Sequence, residues 1–245
     1  MSALPGTEAR RRIYLMRHGH VDYLAKHVVA TGGVNVVPLT NRGRLQAEAA
    51  GAALAHVKFD KAVCSGYPRT HQTASYVLAA QEQPPTLEID EGLVERGNGN
   101  FPKVNSRAEL VELMRGQFSG EGVTKPGNRA VEGAELADAA QARAVKSIRR
   151  LLREPGWHTA LVVAHEGINR LLLSWACGAG ASATGAFEQD TGCINVLDFD
   201  LRSDGEIERT MIKSVNLTPY NWLKHGMNLT SLEALFERDA SEELR

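Results

Sequence analysis

The sequence predicts an α/β fold: a three-layer sandwich with a mostly parallel central sheet, helices on both faces and a loop/helix excursion over the open end. Three observations carry this. Apolar runs at Ile13 to Met16, Phe59 to Cys64 and Thr159 to Ala164 are too short for helices and suit buried strands. Segments with helical spacing alternate with them. Each run also stops at chemically active residues, namely Arg17-His18-Gly19, Ser65 to Arg69, and His165-Glu166-Gly167. In open sheets of this kind, ligands bind beyond the carboxyl ends of the strands.

Taken in order, Thr40 is expected to cap a helix whose apolar face is Leu45, Ala49, Ala52 and Ala53, ending near His56. Pro68 pushes Tyr67 out of helical backbone and itself suits a first helical turn, so Arg69 falls at a strand-to-helix corner. Residues 91–131 are rich in Gly and Asn, with a brief helical pattern around Glu109 to Met114, and read as a surface excursion of the kind that carries function. Leu136, Ala140, Val145, Ile148 and Leu152 form a helical stripe that Pro155-Gly156 ends. Ile168 to Ala176 reads as a helix packed on the sheet. Cys193 to Phe199 and Ile207 to Val215 read as strands joined through Ser203-Asp204-Gly205, a hairpin.

A chain of 245 residues is expected to form a single domain over 1–245, with a core at 11–216, a cap-like excursion at 96–131 and a C-terminal tail at 217–245. A net charge of −1 and a pI near 6.7 exclude the broad basic field of a nucleic-acid binder and favour a small ligand held by a local cluster. Cys64, Cys177 and Cys193 lack metal-ligand spacing and read as reduced core thiols, which points to the cytoplasm. Arg10, Arg11 and Arg12 are followed by no secretory apolar region, and no stretch reaches the ~20 apolar residues of a membrane span.

A phosphate monoester presents roughly −1.5 to −2 charge and three acceptor oxygens. Arg17 and Arg69, from different strand ends, suit it because a guanidinium stays charged and binds two oxygens at once. His18, between a buried strand and Gly19, is the candidate nucleophile, and His165 the electrostatic partner at the phosphoryl oxygens. The leaving alkoxide needs a proton, for which Glu95 is the candidate and Glu91 the nearest competitor.

Leu15-Met16-Arg17-His18-Gly19 resembles the Arg-His-Gly signature of the histidine phosphatase superfamily, also called phosphoglycerate mutase-like. Further matching segments follow in order: Pro38-Leu39-Thr40 with Gly43 and Gln46-Ala47, Ser65 to Arg69 with Gln72-Thr73-Ala74, and Leu93-Val94-Glu95-Arg96 with Gly99. Gly133-Ala134-Glu135 and Val162 to Gly167 with Arg170 complete the set, over roughly residues 12–200. The resemblance implies His18 as the phosphorylated residue, Arg17, Arg69 and His165 as the phosphate pocket, Glu95 as proton donor, and no metal or other cofactor. The chain departs from the family at His20-Val21-Asp22-Tyr23-Leu24, and it lacks the run that marks the glycolytic mutases, so a phosphatase is favoured over a mutase.

Other readings predict different behaviour. His18-Gly19-His20 with Asp22 has the spacing of a metal site, although the paired arginines repel a cation. A non-catalytic phospho-ligand binder would keep the arginines without the nucleophile and acid. Lys103, Arg107, Arg115 and Arg129 either bind a second anionic group or form a solvated face. His20, His27, His56, His71, His158 and His225 are read as structural. In the tail, Tyr220, Trp222, Leu223, Leu229, Leu232, Leu235 and Phe236 are expected to pack on their own domain, with a homodimer contact or a flap over the pocket as the alternatives.

Overall fold

The structure is a computed structural model that describes residues 9–23, 35–97, 135–230 and 234. The four excursion cations, the pattern around Glu109 to Met114, His27, Gly99, Gly133-Ala134, and Leu232, Leu235 and Phe236 lie outside these residues.

The described strands are β1 (Arg10–Arg17), β2 (Lys61–Cys64), β3 (Leu87–Ile89), β4 (Thr159–Ala164), β5 (Ile194–Leu201) and β6 (Ile207–Leu217). They form one sheet in the order β3-β2-β4-β1-β5-β6. The four strands from β3 to β1 are parallel, while β5 runs antiparallel to β1 and pairs with β6 as the expected hairpin. The described helices are α1 (Asn41–Leu54), α2 (Pro68–Ala79), α3 (Ala137–Arg153) and α4 (Glu166–Ala176).

Strand alternation sends Ile13, Leu15, Ala160, Val162, Leu197 and Phe199 to one face, where they join Ala144, Ile148 and Leu152 of α3 and Leu172 of α4. Met16, Leu161, Val163 and Ile194 face the other way, onto Ala50 and Leu54 of α1 and Ala74 and Val77 of α2. Two apolar layers therefore clamp the sheet and hold its strand ends rigid.

The differences from expectation have local causes. β1 extends three residues before its apolar run because Arg10 and Arg12 lie opposite Asp200 and Asp198 and bond them across the strands. The buried face of α1 is Gly43, Gln46, Ala47, Ala50, Gly51 and Leu54, whereas Leu45 is 66% exposed and Ala52 is also exposed. Hydrogen bonding and close approach, not side-chain size, choose that face. Leu136 precedes α3 as its cap and is exposed, outside the stripe assigned to it. Cys177 is exposed at the end of α4, so only Cys64 and Cys193 are core thiols. Strand β3 carries no apolar run to announce it: it is three residues long, and Glu88 and Ile89 are exposed.

Asp200 is 3% exposed and accepts from Arg10 and Arg209. The hydrogen bond from Arg10 acts first in holding its carboxyl below the usual range, against burial. A depressed carboxyl stabilises the fold above its unfolded-state pKa, and that contribution is lost as pH falls through the folded value. Asp200→Asn is thus expected to lower the unfolding free energy by about 2 kcal/mol at neutral pH. The gap from the parent should narrow in urea titrations below the ordinary carboxylate range of about 4.

Candidate active site

Register brings the site together. Arg17 pairs with Ala164 and Cys64 with Val163, so β1, β4 and β2 end flush beside one another. The ladder runs one residue further, with the His18 N–H on the Ala164 carbonyl (3.1 Å) and the Ser65 N–H on the Val163 carbonyl (3.3 Å). His18, His165 and Ser65 therefore leave the sheet side by side.

The turn after β1 is locked by α1 and α2. The Gly19 N–H donates to Thr73 Oγ1 (3.0 Å) and the His20 N–H to Gln46 Oε1 (2.8 Å). Thr40 caps α1 by accepting from the Gly43 N–H (3.1 Å), and its hydroxyl also meets His20 Nδ1 (2.8 Å). A Cβ on Gly19 would stand 2.4 Å from the Gly43 carbonyl oxygen, and one on Gly43 would stand 2.1 Å from that of His20. Two backbones thus touch here. This explains physically why Thr40, Gly43, Gln46 and Thr73 accompany Arg17-His18-Gly19.

His18 is 2% exposed, and its Nδ1 lies 2.7 Å from the Gly19 carbonyl. A carbonyl only accepts, so Nδ1 carries the hydrogen and Nε2 is left with a lone pair. Burial, then Arg69 and Arg17, push the His18 pKa well down and keep the ring neutral. Arg17, 5% exposed, donates through Nη1 to the Gln189 carbonyl and pairs through Nη2 with Glu166 (2.9 Å). Its Nε has no hydrogen-bond partner among the described residues. Arg69 lies in the first turn of α2, buried, with its guanidinium 4.8 Å from the Tyr67 ring centre and 5.7 Å from that of Tyr23. His165 is fully buried, with its ring centre 5.3 Å from that of His18.

Glu95 arrives from the loop after a short 3-10 turn, Glu91–Leu93. Its Oε1 accepts from the Arg96 N–H (2.9 Å) and its Oε2 from the Gly167 N–H (3.2 Å), which holds it at the first turn of α4, the helix that His165 caps. Burial raises its pKa, against the two backbone N–H donors. Arg143 fixes this loop by donating to the carbonyls of Gly92 (2.8 Å) and Val94 (3.0 Å), and it pairs with Glu135 (2.7 Å). Glu91 is exposed. The structure thus gathers Arg17, His18, Arg69, Glu95 and His165 into one cluster.

Other members carried no assigned task in the sequence. Glu166 joins Arg17 to Arg170, and Gln189 and Asn195 exchange side-chain amide bonds (2.9 and 2.8 Å) behind Arg17. Glu166 stood within a recognised motif. The amide pair gave no local signal, since its partners come together only when β5 pairs with β1. Among the described residues no three His, Cys, Asp or Glu side chains are grouped to hold a metal ion, and the His20 ring is turned to Thr40.

The glycine at 167 makes room for Glu95: an added Cβ would lie 2.7 Å from Glu95 Oε1. Gly167→Ala should leave the melting temperature within a few degrees, because alanine suits a helix and Glu95 can swing aside. Displacing that carboxylate should reduce kcat by roughly 100-fold, as steady-state assay beside thermal melts will measure.

The sequence profile of the histidine phosphatase superfamily (branch 1) matches residues 13–210. The chain belongs to that superfamily. The adenosylcobalamin/alpha-ribazole phosphatase of Escherichia coli K12 is 28% identical over 190 residues, 77% of this chain and 90% of that protein. The 2-carboxy-D-arabinitol-1-phosphatase of Triticum aestivum is 24% identical over 220 residues, 88% of this chain and 42% of that protein. The chain thus spans less than half of that plant relative, and 44% of a further one from Arabidopsis thaliana. Among solved superfamily structures, mycobacterial glucosyl-3-phosphoglycerate phosphatase superposes with a TM-score of 0.67 at 22% identity, covering 84% of this chain and 99% of that one. The alpha-ribazole phosphatase of Shigella flexneri gives 0.63 at 24%, covering 84% and 96%. These two likenesses establish the fold.

Proposed function

We propose that the chain is a metal-independent phosphomonoester hydrolase that acts on a small phosphorylated metabolite through a phosphohistidine at His18. One observation carries the reading: a buried, neutral histidine whose Nδ1–H is tied to a carbonyl, so that Nε2 is a fixed lone pair on a ring that feels the charge of Arg69 and Arg17.

In the proposed cycle Arg17, Arg69 and His165 hold the phosphoryl oxygens, and His18 Nε2 attacks phosphorus in line with the leaving oxygen. Glu95, whose pKa burial raises against its two backbone N–H donors, gives its proton to the departing alkoxide in its acid form. As a carboxylate it then takes a proton from the water that attacks phosphohistidine, releasing phosphate and restoring the acid. The arginines supply the charge stabilisation that a cation supplies in other phosphatases.

The substrate class follows the named relatives, whose phosphatase names specify small phosphorylated compounds. No helix among the described residues is long and apolar enough to cross a membrane, and reduced Cys64 and Cys193 favour a cytoplasmic setting. The exposed Trp222 and Leu223 keep a homodimer contact as the proposed alternative to a tail packed on its own domain. Deleting residues 218–245 and measuring mass in solution tests it.

The functional test is phosphate release from p-nitrophenyl phosphate and from phosphorylated sugars, phosphoglycerates and nucleotide-derived phosphates, with EDTA present. Turnover that survives chelation supports the reading. Loss of turnover on chelation, or isomerisation of a phosphoglycerate without phosphate release, contradicts it.

A further inference from the structure

A chain of hydroxyls decides which atom of His165 faces the ligand. Thr70 Oγ1 lies 2.8 Å from the Tyr67 carbonyl, which only accepts, so the single Thr70 hydroxyl proton is committed there. Ser65 Oγ, 2.9 Å from Thr70 Oγ1, must then donate to Thr70. With its own proton spent, Ser65 can only accept from His165 Nε2, 2.8 Å away. The His165 hydrogen therefore sits on Nε2. Its other nitrogen, Nδ1, is buried and has no hydrogen-bond partner among the described residues, in the same cluster as the unpartnered Arg17 Nε.

We propose that Thr70 and Ser65 are positioning residues whose hydroxyls hold the His165 hydrogen on Nε2, so that Nδ1 meets the phosphoryl group and must gain a proton to do so. The tautomer follows from the hydrogen bonds alone, whereas its use in turnover rests on the phosphohistidine reading. A bare Nδ1 would set a lone pair against a phosphoryl oxygen. Binding a dianion therefore draws one proton from solvent onto Nδ1, both ring nitrogens become donors, and the ring becomes a cation. The proton returns to solvent when phosphate leaves. The surroundings of the ring fit this switch: burial first, then His18, Arg69, Arg17 and Arg143, disfavour the cation in the free protein, while Glu95 and Glu166 stand in the same pocket. An incoming dianion reverses the balance.

Two-bond 1H–15N correlation spectra of the full chain, with and without tungstate, read both ring nitrogens directly. The free parent should show hydrogen on Nε2 and a bare Nδ1, and the tungstate complex should show both protonated. In Thr70→Val the Ser65 hydroxyl loses its acceptor and turns to His165, so the ring hydrogen moves to Nδ1 and tungstate adds no second proton. kcat should then fall on the order of tenfold, as a charge-assisted contact becomes a neutral one. Thr70→Ser, which keeps the hydroxyl, should restore both the spectrum and kcat. Ser65→Ala, with no hydroxyl beside Nε2, should give a mixture of tautomers.

A free parent with its hydrogen on Nδ1, or a folded Thr70→Val that keeps the parent tautomer, overturns the proposal. The predicted tautomers in a parent that turns over no phosphomonoester would uphold the relay and count against the phosphatase reading instead.

Discussion

His18→Ala is expected to lower kcat by at least about 10⁴-fold, the scale on which enzymes lose rate when a covalent nucleophile is removed. Binding should survive. Arg17 is held by the Gln189 carbonyl and Glu166, and Arg69 by its place in α2, so neither depends on the His18 ring for its position. Tungstate affinity should thus stay within about tenfold of the parent, equivalent to about 1.4 kcal/mol. Steady-state assays and calorimetric titration of the same preparation separate the two effects. A variant that keeps turnover shows that another group attacks phosphorus.

Glu95→Gln should show its loss selectively. The amide cannot donate an acidic proton, so alkyl phosphomonoesters, whose alkoxides need one, should lose roughly 10³-fold in kcat, within the usual range for a general acid. p-Nitrophenyl phosphate, whose leaving group departs as a stable anion, should lose far less. The pH profile gives a second reading. Burial raises the Glu95 pKa, and the acid form is the active one, so the parent's rate on alkyl esters falls as pH rises through that value. This alkaline limb should be absent from Glu95→Gln. Equal losses on both substrate types would assign the proton to another group.

The site was legible because its chemistry sits at strand ends. A run such as Thr159 to Ala164 that stops at a histidine marks a strand terminus as it marks a ligand position, and β4 occupies the residues expected of it. Two features hid from sequence reading for the same reason. The buried face of α1 is set by Gln46 reaching the His20 N–H and by Gly43 touching His20, contacts that span more than twenty residues and outweigh the placement of Leu45. The polar scaffold behind Arg17 likewise depends on Gln189 and Asn195, which meet only in the folded sheet. Ser65 stood in a recognised segment and Thr70 just beyond the end of it, yet their relation to His165 needed the flush ends of β2 and β4.

The central claim is that a phosphoryl group passes through His18. Mixing the chain with a phosphomonoester, quenching within one turnover in alkali, where phosphohistidine persists, and weighing the intact protein tests it most directly. Added mass equal to one phosphoryl group is expected, mapped by peptide fragmentation to His18 and lost on acidification. Parent enzyme that turns over substrate in EDTA yet never carries that mass under single-turnover conditions would contradict it.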